Sequence, residues 1–134
     1  MGRMLPLFRL GVGGRLGPGT QWWPWITLVD EVRAILHLLD STLVGPVNVT
    51  APEPARNSDV TRALATALHR PAILPVPALA LRMVVGEFAA EVAGSKHLLP
   101  AALEADGFTW RHRTIDEAVR WLVSQSRVGT RRRP

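Results

Sequence analysis

The spacing of apolar and polar positions divides this chain into short strand-like runs and amphipathic helices. Trp25 to Leu28 is a brief apolar run suited to a buried strand, and Asp30 follows where a helix cap or first-turn acid belongs. Val32, Ile35, Leu36 and Leu39 then recur at i, i+3, i+4 and i+7, one face of a helix. Gly45-Pro46 predicts a turn, and the β-branched residues 47–50 predict a strand. Asn57 and Ser58 are candidate caps for a second helix with a stripe of Val60, Leu64 and Leu68, closed by Arg70-Pro71. A third helix is expected to open at Pro77, with Leu81, Val84, Val85, Phe88 and Val92 on one face and Gly94 as its stop. Residues 100–105 predict a short helix ending at Gly107, and residues 108–111 a strand. Thr114 and Glu117 form a capping box ahead of a last helix bearing Ile115, Ala118, Val119, Leu122 and Val123.

Strands and helices thus alternate. The order is that of an α/β chain, mainly helices with a few short strands, too few for a self-sufficient doubly wound sheet. Ahead of this pattern, residues 1–24 hold more than half of the chain's 11 glycines and predict a loop. A loop of that length is usually functional or lies against another element. Inside it, Gly11-Val12-Gly13-Gly14-Arg15-Leu16 fails the G-x-G-x-x-G dinucleotide pattern, because Leu16 occupies the third glycine position.

Composition changes this picture little. The 134 residues fit one domain by length, and 47% hydrophobic with 20% charged residues is a globular balance. There is no cysteine, which excludes disulfides and thiolate chemistry and is compatible with a reducing cytoplasm. The net charge of +5 is concentrated at the end, where Arg127, Arg131, Arg132 and Arg133 crowd "SRVGTRRRP". With no aromatic side chains between the arginines, this reads as a solvated, disordered tail rather than a nucleic-acid arm. The longest apolar run, residues 72–81, contains two prolines and is too short for a membrane span of about twenty residues.

Candidate chemistry is sparse. His37, His69, His97 and His112 are not spaced as metal-ligand pairs, so no metal site is expected. No G-x-S-x-G elbow or Walker A loop is present. The acid pairs Asp30-Glu31 and Asp116-Glu117 stand at helix starts, where the macrodipole accounts for them better than acid–base catalysis.

Three stretches in order, "LPLFRLGVGGRLGPGTQWWPWITLVDEV", "GPVNVTAPEP…NSDVTRALATALHRPAILPVPALALRMVVGE" and "LLPAALEADGFTW…TIDEAVRWLV", resemble the C-terminal part of NAD-dependent epimerase/dehydratase-like proteins. These are atypical extended short-chain dehydrogenase/reductases with a small C-terminal domain of unknown function. The resemblance covers about residues 4–123. It implies a Rossmann part with a glycine fingerprint and a Tyr-x-x-x-Lys pair in full-length members, with NAD(P) as cofactor. This chain has no tyrosine, and Lys96 is its one lysine, so it carries neither. By resemblance the sequence begins beyond both, so that the Rossmann part is absent and no cofactor is expected on this chain alone. Thr27 departs from the family, whose members commonly carry histidine there in a "WIH" segment.

On this view residues 1–70 are a substrate-side segment, 71–126 a small helical C-terminal domain and 127–134 the basic tail. The resemblance places residues 14–25 along the substrate cleft. Gln21 would offer an amide and Trp22 an apolar wall to a ligand of unknown identity, with Trp23 beside it. Equally, Trp22 packs under the first helix; for Trp25, heading a buried run, packing is expected. Two functions compete. The chain is the substrate-binding portion of an epimerase- or oxidoreductase-like protein, inactive alone, or a non-catalytic interaction module that pairs with a Rossmann half or with itself. A cytoplasmic, non-membrane location is expected in either case.

Overall fold

A computed structural model of the chain describes residues 14–15, 18–69 and 94–130. The body of the third predicted helix, residues 77–93, and the arginines Arg131, Arg132 and Arg133 lie outside the described residues. In chain order the elements are β1 (Trp22–Trp23), α1 (Leu28–Leu39), β2 (Ala55–Arg56), α2 (Asn57–Leu68), α3 (Ala101–Ala105) and α4 (Ile115–Thr130). The α/β class holds: the described residues form four helices and a two-stranded antiparallel sheet that pairs Trp22 with Arg56 and Trp23 with Ala55.

The helix starts follow local chemistry. Helix α4 opens on the predicted box: Glu117 N–H donates to Thr114 Oγ1 (3.2 Å), while the Glu117 carboxylate accepts from the N–H of Thr114 (3.2 Å) and of Arg113 (2.9 Å). Thr114→Ala is expected to cost about 1 kcal/mol, read as a lower urea midpoint with an unchanged slope. Helix α1 is capped by Thr27, which accepts from Asp30 N–H, and Asp30 takes the second of its two expected places, an acid of the first turn. The expected strand over Trp25 to Leu28 is therefore replaced by a cap and a helix start.

Helix α2 corrects another expectation. Its N-cap is Arg56, whose side chain makes no capping bond, rather than Asn57 or Ser58. The Gly-rich loop supplies the acceptors instead: Asn57 N–H donates to the Gln21 carbonyl and Ser58 N–H to the Gly19 carbonyl, both at 3.0 Å. Gly19 is held at φ +71°, and a Cβ there would meet the Ser58 and Arg15 Cβ atoms at 3.2 and 3.3 Å. Only glycine brings the loop this close to the helix. At its other end α2 stops after Leu68 with His69 in the left-handed conformation (φ 51°).

Two cores result. The larger joins Val60, Ala63 and Leu64 of α2 to Ile115, Ala118, Val119 and Val123 of α4, with Trp25, Ala51 and Ala55 beside them. It spans the boundary expected at residue 70, so among the described residues that line does not separate two cores. The predicted stripes of α2 and α4 thus face each other. The smaller core sets Ala34 of α1 against Leu103, Phe108 and Trp110, with Val47 and Val49 packed on it. Residues 47–50 and 108–111, both expected as strands, form no ladder; Trp110 Nε1–H donates to the Thr50 carbonyl (3.1 Å) and ties the two segments through a side chain. Helix α4 runs to Thr130, past the expected start of the tail at Arg127, because no proline interrupts it.

Helix α1 is mounted opposite to its hydrophobic stripe. Asp30 and Ala34 face inward, whereas Leu28, Val32, Ile35, Leu36 and Leu39 are 47% to 75% exposed. At about 100° per residue these five share one side of the helix, facing away from the core.

Candidate ligand-facing site at Trp22

The two residues singled out from the sequence lie together at the start of β1. Gln21 is half-buried, and its carbonyl is committed to the α2 N-terminus. The Trp22 backbone is fixed on both sides. Beyond its pairing with Arg56, its N–H donates to Ser95 Oγ and its carbonyl accepts from Lys96 N–H, both at 3.0 Å. The half-buried indole is then bracketed by polar partners. The Arg56 guanidinium lies 4.7 Å from the ring centroid, and the His97 ring meets it edge-on at 4.6 Å. Trp22 therefore does not pack under α1, as one of the two readings had it, but against β2 and residues 95–97.

This arrangement brings the side chains of Arg56 and His97 and the backbone N–H of Lys96 against one tryptophan on an open surface. The three residues are exposed. A cation over an indole contributes about 0.5–1 kcal/mol at such a site. The chemistry on offer is stacking, hydrogen bonding and attraction of negative charge. The sequence had pointed to Gln21 and Trp22 but not to Arg56, Ser95, Lys96 or His97, which lie from 34 to 75 positions beyond Trp22 and reach it only through strand pairing and the return of the chain after residue 94.

A second polar cluster was also hidden. Asp30, at 1% exposure, accepts from Arg33 Nη1 (2.9 Å), from Thr27 Oγ1 (3.0 Å), and from the backbone N–H of Arg111 (2.9 Å) and His112 (3.0 Å). His112 Nδ1 stands 3.4 Å from the same carboxylate and 3.3 Å from Thr27 Oγ1, with its ring against Trp121. Burial opposes ionisation of Asp30, but the two backbone donors, Thr27 and Arg33 outweigh it and hold the carboxyl below its ordinary value. Both oxygens are occupied within the fold, so this carboxylate positions α1 and the 111–112 backbone rather than serving a substrate. His37 contacts Asp106 (2.8 Å). The Asp106 carboxyl is lowered mainly by the Ser41 hydroxyl, with His37 adding to the effect against some desolvation.

A cavity of 590 Å³ lies between α2 and α4, lined by Ala67, His69, Arg120 and Val123 among others, and Trp22 does not contribute to it. Among the described residues no group of three His, Asp or Glu side chains could hold a metal ion, and no helix is long and apolar enough to cross a membrane.

Comparisons with known proteins show what this α/β arrangement is similar to. Residues 76–122 match the model of a domain of unknown function, DUF1731. An epimerase family protein of Mycobacterium leprae is 42% identical over 127 residues, 93% of this chain and 41% of its own length. One from Mycobacterium tuberculosis is 43% identical, covering 92% and 42%, and one from Staphylococcus aureus 36%, covering 85% and 38%. The crystal structure of a human epimerase family protein with NADPH superposes with a TM-score of 0.87 at 30% identity, over 92% of this chain and 43% of that one. A nucleoside-diphosphate sugar epimerase from Corynebacterium glutamicum matches with a TM-score of 0.59 at 29% identity, over 95% of this chain and 26% of the other. The chain is thus similar to the C-terminal part of epimerase family proteins of the atypical short-chain dehydrogenase/reductase type, and spans about two fifths of the length of these curated relatives.

Proposed function

We propose that the chain is the substrate-side portion of an epimerase- or oxidoreductase-like protein and does not catalyse on its own. The observation that carries this reading is a mismatch. The fold agrees closely with part of an NADPH-bound relative, yet the chain has no tyrosine and a single lysine, Lys96, in the exposed segment beside Trp22. A tyrosine activated by a nearby lysine is the proton-transfer pair that the resemblance implies for this superfamily. The residues present do not fit a nicotinamide cofactor either, since no glycine fingerprint accompanies them.

In this reading Gln21 and Trp22 form one wall of a substrate cleft, and Arg56 and His97 bias that wall toward anionic or planar ligands. The cofactor, NAD(P), belongs to the remaining part of full-length relatives, and the cytoplasm is the expected location. The alternative, a non-catalytic interaction module, is favoured by the exposed apolar side of α1.

Titration of the isolated chain with NADPH in a calorimeter is expected to give no binding heat at micromolar ligand, and no nicotinamide-dependent turnover. Saturable binding with a micromolar Kd, or turnover, would overturn the reading.

A further inference from the structure

Resting on that reading, we infer that Arg56, mounted on the Trp22 indole, is an oxyanion-binding residue that takes a carboxylate or phosphoryl group of the ligand. Three segments distant in sequence meet at this tryptophan, and backbone bonds hold them there. Trp22 pairs with Arg56 across the sheet, donates its N–H to Ser95 Oγ and accepts at its carbonyl from Lys96 N–H. The Arg56 guanidinium is thereby set 4.7 Å from the indole centroid, and the His97 ring meets the same indole at 4.6 Å. Elsewhere the arginines spend their guanidinium on protein oxygens: Arg33 on Asp30 and the Thr109 carbonyl, Arg62 on Asp59, Arg120 on the Asp116 carbonyl. Among the described residues the Arg56 guanidinium donates to no carboxylate or carbonyl oxygen.

A ring contact does not satisfy a guanidinium. The indole meets its charge and leaves its planar fork of N–H donors open to an acceptor. It also restrains a long, exposed side chain, so less freedom is lost when that acceptor arrives. Asp59 does not fill the role. Its carboxylate accepts from the Arg56 backbone N–H at 3.0 Å and lies 3.7 Å from Arg62. A guanidinium fork matches the paired oxygens of a carboxylate or phosphoryl group, and such charge-assisted bonds are about twice as strong as neutral ones. A cationic ligand is repelled at this position, and a neutral one gains nothing from the charge. Arg113 offers an internal contrast: its guanidinium also stands over a tryptophan, at 5.9 Å, but that ring is Trp110, buried in the smaller core and no part of the Trp22 wall.

The test titrates the full chain, labelled with nitrogen-15, with phenyl phosphate, benzoate and neutral benzamide at constant ionic strength. The Nε–H signals of Arg56 and Trp22 are expected to move saturably with an anion and not with benzamide, and the anion that saturates at lower concentration identifies the group preferred. Arg56→Gln should weaken binding about tenfold or more. Arg56→Lys keeps the charge but loses the fork, and should also weaken it. Arg113→Gln should leave it unchanged, with circular dichroism checking the fold of each variant. No saturable shift with either anion overturns the inference. So do shifts that survive Arg56→Gln, that fall equally with Arg113→Gln, or that benzamide reproduces, which would make the indole alone the recognising group. Nicotinamide-dependent turnover by the isolated chain would sink the function proposed above and leave this subsite standing, whereas absent anion binding sinks the subsite alone.

Discussion

Asp30→Ala is expected to remove roughly 3 kcal/mol or more of folding stability, about what loss of one partner from a buried ion pair costs. The carboxylate accepts four hydrogen bonds, two of them from the backbone of residues 111 and 112, more than eighty positions away. Its removal strands those part-buried N–H groups, and unsatisfied buried donors each cost about 1–3 kcal/mol. It also releases the guanidinium of Arg33. Asp30→Asn keeps the shape and some acceptor capacity and should lose less. The pH dependence follows from the direction of the shift. The folded carboxyl titrates below its ordinary value of 3.8. Its contribution is therefore fully present above that value and is lost as the pH falls through the lower, folded value. Urea unfolding of the parent chain should show a drop in stability on this acid limb, and the drop should be smaller in Asp30→Asn. An Asp30→Asn variant with an unaltered acid limb would show that the carboxylate is not held as described.

Trp110→Ala is expected to cost about 3–5 kcal/mol. The indole is 8% exposed, meets Phe108 edge-on with centroids 4.9 Å apart, and bonds to the Thr50 carbonyl. Its loss would open a cavity below α1 in the smaller core, where Ala34, Leu103 and Phe108 are its buried neighbours among the described residues. Trp110→Phe separates the two contributions. It preserves much of the ring contact but leaves the Thr50 carbonyl without its donor, so a loss of about 1–2 kcal/mol is expected. Chemical unfolding with near-ultraviolet dichroism reads both. An alanine variant within 1 kcal/mol of the parent would mean that the smaller core contributes little.

Which parts of this were legible in the sequence depended on the range of the interaction. The Thr114–Glu117 box lies within one helical turn and was read correctly, as were the stripes of α2 and α4. Each of those apolar stripes buries itself on the other, so amphipathicity and burial agree. In α1 the same pattern misleads. Its stripe is as regular as theirs, but Asp30, bonded across eighty residues, overrides it. The expected strands over residues 47–50 and 108–111 failed for a related reason. Their β-branched and aromatic side chains do pack, yet strand identity needs a neighbour to complete a ladder, and among the described residues there is none. The T-x-x-D spacing of Thr27 and Asp30 was a visible signal for the true N-cap, obscured by the tryptophan run before it. At the candidate site, Trp22 announced itself by composition. Arg56 did not, because cross-strand pairing leaves no periodic trace, and neither did the 95–97 stretch.

The outward mounting of α1 also bears on how this polypeptide fares once synthesised. Five aliphatic side chains aligned on one helix are what chaperones and proteases select. The steady-state amount of the chain is thus expected to follow the supply of whatever shields that helix, falling when the shield is scarce even though the fold itself is intact.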